Sequence, residues 1–176
     1  MSMTASKAPI TEPTLSAQDF IAAMGRCATG VTVIATDGAA GRFGVTVSAM
    51  CSVSAEPPLL LVCVNRNNLA NTAIHQNHCF SVNIIGEHQQ QVAQVFAGQV
   101  KIENGDRFSC ASWVNEVTGA PVLEDALASF DCVVEQQHEL GTHTVFVGRV
   151  QRATSTDGSA VAYSQRSFCS LVARHQ

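Results

Sequence analysis

The sequence predicts a mainly β fold (α+β), a barrel of strands carrying a few peripheral helices. Three observations point there. Short runs rich in Val, Ile, Thr and Phe recur along most of the chain. Gly, Pro, Asn and Asp turn signals separate them. Helical periodicity is sustained in only two stretches. The chain has 176 residues and a mass of 18.6 kDa, enough for one domain with a buried core.

Met1 to Pro13 is polar and broken by Pro, with no apolar core of a secretory signal, so residues 1–14 read as a disordered leader and 15–176 as the domain. Ser16 to Thr29 predicts a helix capped by Ser16, with Phe20, Ile21, Met24, Cys27 and Ala28 on one face and Gly30 as its stop. The period then changes from 3.6 to 2. Val31 to Thr36 predicts a strand, and Asp37 to Gly41 a turn. Phe43, Val45, Val47 and Ala49 alternate with Gly44, Thr46 and Ser48, giving one apolar face and one small, polar face. Glu56-Pro57-Pro58 breaks the chain before a buried strand, Leu59 to Val64. A polar loop, Asn65 to Asn71, precedes a short helix at Thr72 to Gln76 and a strand at Phe80 to Ile85. Glu87 to Phe96 predicts the second helix, with Val92, Val95 and Phe96 inward. After an irregular loop from Gly98 to Cys110, strands are expected at Ser112–Val117, Ala126–Glu139, His143–Thr154, Val161–Tyr163 and Ser167–Val172.

Composition excludes several classes. Charged residues are 14% of the chain and hydrophobic ones 46%, which rules out a disordered protein and suggests that a subunit contact covers part of the surface. A net charge of −4 argues against nucleic acid as a partner. The longest apolar run, Leu59 to Val64, is too short to cross a bilayer. Seven cysteines, mostly within apolar stretches and without C-x-x-C, read as buried reduced thiols of a cytoplasmic protein. No dinucleotide fingerprint, P-loop, H-E-x-x-H or G-x-S-x-G occurs. His75 and His78 share a helix face, but no second cluster completes a metal site, so no metal is expected.

The informative segment is Gly44-Val45-Thr46-Val47-Ser48-Ala49-Met50. Small side chains on a strand let a flat aromatic ligand lie close, with backbone groups addressing its polar edge. An ordinary strand of small residues has the same composition.

An ordered set of segments resembles the short-chain flavin reductases, the reductase components of two-component flavin-dependent monooxygenases such as 4-hydroxyphenylacetate 3-monooxygenase. The set is Ala28 to Thr36, Gly44 to Ala49, Ser54-x-x-Pro57-Pro58 through Asn65, Phe80 to Ile85, Phe96-Ala97-Gly98, Asp106-Arg107-Phe108, Gly141 to Val150 and Tyr163-x-x-Arg166-x-Phe168. The resemblance implies an FMN-binding split β-barrel and a homodimer with flavin near the subunit contact. It implies reduction of FAD or FMN by NADH or NADPH, NADH favoured, and delivery of diffusible reduced flavin to a separate oxygenase. Two alternatives keep the barrel: a tightly held flavin acting on a small organic substrate, or a non-enzymatic flavin- or haem-binding protein.

Site residues follow from the same resemblance. Thr46, Val47, Ser48 and Ala49 are expected along the isoalloxazine, with hydroxyl and backbone donors at its N1–C2=O2 edge. Val64, Asn65, Asn67, Asn68 and Asn71 are expected on the ribityl-phosphate side, where the family often has Ser and Thr. Phe80 and Asn83 are placed near the flavin, and Phe96 as a cofactor wall, with helix core as the competing reading. Arg107 is one of few cations available for a phosphate. His143, at the Gly-x-His position, is the catalytic candidate, a nicotinamide contact near flavin N5. Arg166 and Phe168 are expected to hold the pyridine nucleotide.

Overall fold

The computed structural model describes residues 15–103 and 105–172, so the expected leader lies outside the described residues. A first helix, α1 (Ala17–Met24), leads into β1 (Thr29–Gly30), β2 (Thr32–Thr36), β3 (Phe43–Val47), β4 (Met50–Ala55) and β5 (Pro58–Asn65). Helix α2 (Leu69–Asn77), β6 (Cys79–Ile84) and α3 (Gln90–Phe96) follow. The chain ends through β7 (Trp113–Asn115), β8 (Pro121–Leu123), β9 (Ala128–Leu140), β10 (His143–Ser155), β11 (Val161–Ser164) and β12 (Ser167–Ser170).

A seven-stranded antiparallel sheet in the order β3-β2-β6-β9-β10-β5-β4 forms the body. It curls without closing, the split barrel that the resemblance implies. The small sheets β1-β11-β12 and β7-β8 flank it. Two apolar clusters fill the interior. One packs Ile34, Val45, Val62, Val64, Phe80 and Phe146 between sheet and α2. The other packs Val33, Val92, Val95, Phe96 and Phe108 around α3.

The alternation read in β3 holds: Val45 is buried in the barrel cluster, with Phe43 and Val47 packed against it. Its opposite face carries Gly44, and α3 presses close there. A Cβ on Gly44 would stand 2.5 Å from a ring carbon of Phe96. Only glycine lets helix and strand approach so far.

Several expectations need correction. The first helix is shorter than Ser16–Thr29. Its apolar face, Phe20, Ile21 and Met24, is exposed. Ser16 caps it as expected, accepting from the Asp19 N–H. The expected Thr72–Gln76 helix begins earlier, because Asn68 supplies an N-cap by accepting from the Ala70 N–H at 2.9 Å. Glu87–Phe96 divides into a 3₁₀ turn at Glu87–Gln89 and then α3. The strand expected at Ser112–Val117 contracts to β7, and β8 was not foreseen. Among the seven free thiols only Cys79 and Cys132 are buried, while Cys27, Cys51 and Cys169 are exposed. The two helix histidines have structural places: His75 meets the Phe146 ring edge-on at 4.9 Å, and His78 is the left-handed cap of α2.

Candidate functional site

Register brings distant residues together. In the β5-β10 pair, Asn65 stands opposite His143 and Cys63 opposite Val145. The chain leaves β3 at Ser48 and turns over β5, held where the Cys63 N–H donates to the Ala49 carbonyl at 3.0 Å. Thr46, Val47, Ser48, Ala49, Cys63, Asn65 and His143 thereby line one hollow of about 240 Å³. Its wall is small side chains and backbone. Two details refine the expectation. The Thr46 hydroxyl donates to the Ala93 carbonyl at 2.7 Å, so its hydrogen is committed to α3, and Ser48, which is exposed, carries the other hydroxyl of the segment. The Thr142 hydroxyl lies 2.9 Å from His143 Nδ1, which leaves Nε2 as the nitrogen available to a ligand. Burial and then the neighbouring Cys51 push the Cys63 thiol up, so it stands neutral on the wall.

A larger hollow of about 470 Å³ is lined by the residues just before these, Arg42 to Gly44, at the start of β3. Asn67, Asn68 and Leu69 at the start of α2 form one side, and Arg42 to Gly44, Phe96 and Gly105 to Phe108 form the rest. Asn67, Asn68, Phe96 and Arg107, all sequence candidates, are brought together here, although Phe96 also belongs to the core. Two guanidinium groups and the N-terminus of a nine-residue helix stand there against one carboxylate, Asp106. Arg42 was missed from sequence. Its guanidinium pairs with Asp106 at 3.0 Å and sits 4.5 Å from the Phe108 ring centre.

Four expected residues are buried within the protein and line neither hollow. Val64 is fully buried in the barrel cluster. Phe80 is too, its ring filling the space over Gly148 where a Cβ would come within 2.5 Å. Asn71 is buried, donating to the Val64 carbonyl and accepting from the Thr144 hydroxyl, a polar pin between α2 and the sheet. Asn83 spends its amide inside the core. Its Nδ2 donates to the Val33 carbonyl and Ser81 Oγ, and its Oδ1 accepts from the Leu123 N–H and the Ser129 hydroxyl. A side chain so satisfied has nothing left to offer a ligand.

The C-terminal pair separates. Phe168 packs edge-on against Tyr163 at 5.4 Å, and both line a third hollow of about 180 Å³ that reaches the other flank of Thr46, Val47 and Ser48. Arg166 occupies the tight turn between β11 and β12, where it and Gln165 have positive φ. It faces α1 beside Arg26, away from the hollow that holds Phe168.

Residues 24–172 match the family model described as flavin reductase like domain. The FMN reductase (NADH) RutF of Serratia proteamaculans (strain 568) is 39% identical over 165 residues, 93% of this chain and 93% of that protein. The solved structure of the Streptomyces globisporus C-1027 NADH:FAD oxidoreductase SgcE6, in complex with NAD and FAD fragments, superposes with a TM-score of 0.81 at 28% identity. That match covers 94% of this chain and 98% of that one. The crystal structure of BorF, the flavin reductase component of a bacterial two-component tryptophan halogenase, has a TM-score of 0.79 at 30% identity, covering 90% and 100% of the two chains.

Proposed function

Because this chain belongs to the flavin reductase like family, we propose that it is an NADH-dependent flavin reductase that takes free FMN, and also FAD, as a substrate. Reduced flavin then leaves for a separate flavin-dependent oxygenase, the arrangement named for BorF. The observation that carries the reading is that successive residues of β3 line two hollows in turn. One is walled by small side chains and backbone, the other by two arginines and a helix N-terminus. That polarity suits a molecule with a flat ring system at one end and a phosphate at the other. The FMN named for the relatives has this form.

The chemistry is hydride transfer from nicotinamide C4 to flavin N5, which needs the two atoms within about 3–3.5 Å. The protein's part is to hold partners and exclude alternatives. Thr46 to Ala49 would let the ring plane lie close to the backbone. Arg42 and Arg107, with the first turn of α2, would seat the phosphate. Asn65 and His143, adjacent across β5-β10, would address the ring edge and the incoming nicotinamide, with Nε2 of His143 as the polar contact. Phe168 and Tyr163 would shelter the other flank.

Exposed apolar residues support a homodimer: Phe20, Ile21 and Met24 of α1 are each more than half exposed in one protomer. Seven free thiols support a reducing compartment, the cytoplasm. Among the described residues no helix is long and apolar enough to cross a membrane.

The test is NADH oxidation followed with FMN, FAD and riboflavin in turn. Turnover that depends on added flavin supports the reading. Oxidation no faster with protein and flavin than with flavin alone overturns it.

A further inference from the structure

The inference rests on the reading of the larger hollow as the phosphate seat. In this structure the guanidinium that a phosphate would seek is already engaged by Asp106. Arg42 Nη2 lies 3.0 Å from Asp106 Oδ2, and both residues line the hollow. Their side chains are 43% and 46% exposed, so the pair is screened by water and easily exchanged. The two carboxylate oxygens have separate tasks. While Oδ2 meets Arg42, Oδ1 accepts from the Phe108 N–H at 3.0 Å and caps the 3₁₀ turn Arg107–Cys110. A phosphate monoester carries a charge of about −1.5 to −2 near neutral pH. It can displace one carboxylate from Arg42, but the carboxylate stays beside it, anchored through the cap, as a like charge.

We propose that Asp106 is an internal competitor for the flavin phosphate. It fills the Arg42 guanidinium when the hollow is empty and opposes the phosphate when it is occupied. Asp106 thereby sets how weakly a phosphorylated flavin is held. A reductase that hands its product to another protein needs such weakness. Riboflavin has the ring system and ribityl chain but no phosphate, so its binding is indifferent to the pair.

The probe is Asp106→Asn, which keeps a capping oxygen and removes the charge. Dissociation constants of FMN and riboflavin are measured by flavin fluorescence for the native protein, Asp106→Asn, Arg42→Gln and the double variant. Asp106→Asn should bind FMN about fivefold tighter, the scale of an exposed ion pair, with riboflavin unchanged within about twofold. Arg42→Gln should weaken FMN about fivefold and spare riboflavin. Adding Asp106→Asn to Arg42→Gln should then move FMN less than about twofold, because the contested cation is gone. If Arg42→Gln does not fold, the FMN-to-riboflavin ratio of Asp106→Asn alone decides. Weaker FMN binding in Asp106→Asn, or equal shifts for both flavins, overturns the competitor and leaves the seat intact. A native protein that binds neither flavin overturns the seat and the competitor together.

Discussion

Gly44 of β3 and Phe96 of α3 are in contact so close that a single added carbon does not fit: a Cβ on Gly44 would lie 2.5 Å from Cε1 of Phe96 and 3.1 Å from the Ile34 carbonyl. Phe96 has no room to retreat, because Phe108 and Trp113 meet its ring edge-on at 5.0 and 5.5 Å. Gly44→Ala should therefore cost about 1–3 kcal/mol by overpacking, and lower the melting temperature by about 2–4 °C for each kcal/mol. Thermal melting with FMN absent isolates the folding effect. An unchanged melting temperature would mean that α3 moves away from β3 more easily than its aromatic neighbours suggest.

Asn83 separates a structural amide from a ligand contact. Replacing it with Ala leaves the Leu123 N–H and the Val33 carbonyl without their side-chain partner inside the core. The expected loss is about 2–4 kcal/mol, from the orphaned Leu123 N–H, the lost side-chain partners and a small cavity. Urea unfolding measures it. The folded fraction should keep the native affinity for FMN. Weakened FMN binding with an unchanged urea midpoint would return Asn83 to the flavin site.

His143 is half-buried at a strand entrance, and its replacement should barely touch stability. We expect His143→Ala to change unfolding free energy by no more than about 0.5 kcal/mol. If it positions nicotinamide, kcat/KM for NADH should fall about tenfold to a hundredfold while the FMN dissociation constant stays put. A variant with native kcat/KM would remove His143 from the reaction.

What the sequence made legible divides along a physical line. Strand β3 could be read because alternation of Phe43, Val45 and Val47 with small residues is a local, period-2 signal. A familiar order of segments pointed Thr46 and His143 to the ring but Asn65 to the ribityl-phosphate side, and β-sheet register instead put Asn65 opposite His143. Phe80, Asn83 and Asn71 were harder. A polar or aromatic residue in an apolar strand or helix looks the same whether it meets a ligand or a distant backbone group, and the partners of Asn83 include Leu123, 40 residues away. Arg42 carried no local signal at all, since its partner Asp106 is 64 residues downstream. The exposed apolar face of α1 shows the converse. Its helical period was plain, but periodicity reports that a face seeks cover and not what supplies it.

Alkaline pH should destabilise the fold through buried thiols, Cys132 above all. It lies fully buried beside Gly148 and Phe80, and desolvation, with the neighbouring Asp131 carboxylate adding to it, pushes its pKa up to about 12 from an ordinary 9. Between those values the unfolded chain gives up the thiol proton while the fold retains it. The unfolded state then binds fewer protons, so unfolding free energy falls as pH rises through this window and is unaffected below it. The slope for one such group approaches about 1.4 kcal/mol per pH unit. Cys63, Cys79 and Cys110, also pushed up chiefly by burial, act in the same direction. Cys132→Ala will lower stability at neutral pH by leaving a cavity, so the diagnostic is the slope and not the level. Urea unfolding at a series of pH values from 8 to 11 should show the native protein losing stability more steeply than Cys132→Ala above pH 9, with parallel lines below it. Parallel lines throughout would show that the thiol ionises inside the fold as readily as outside it.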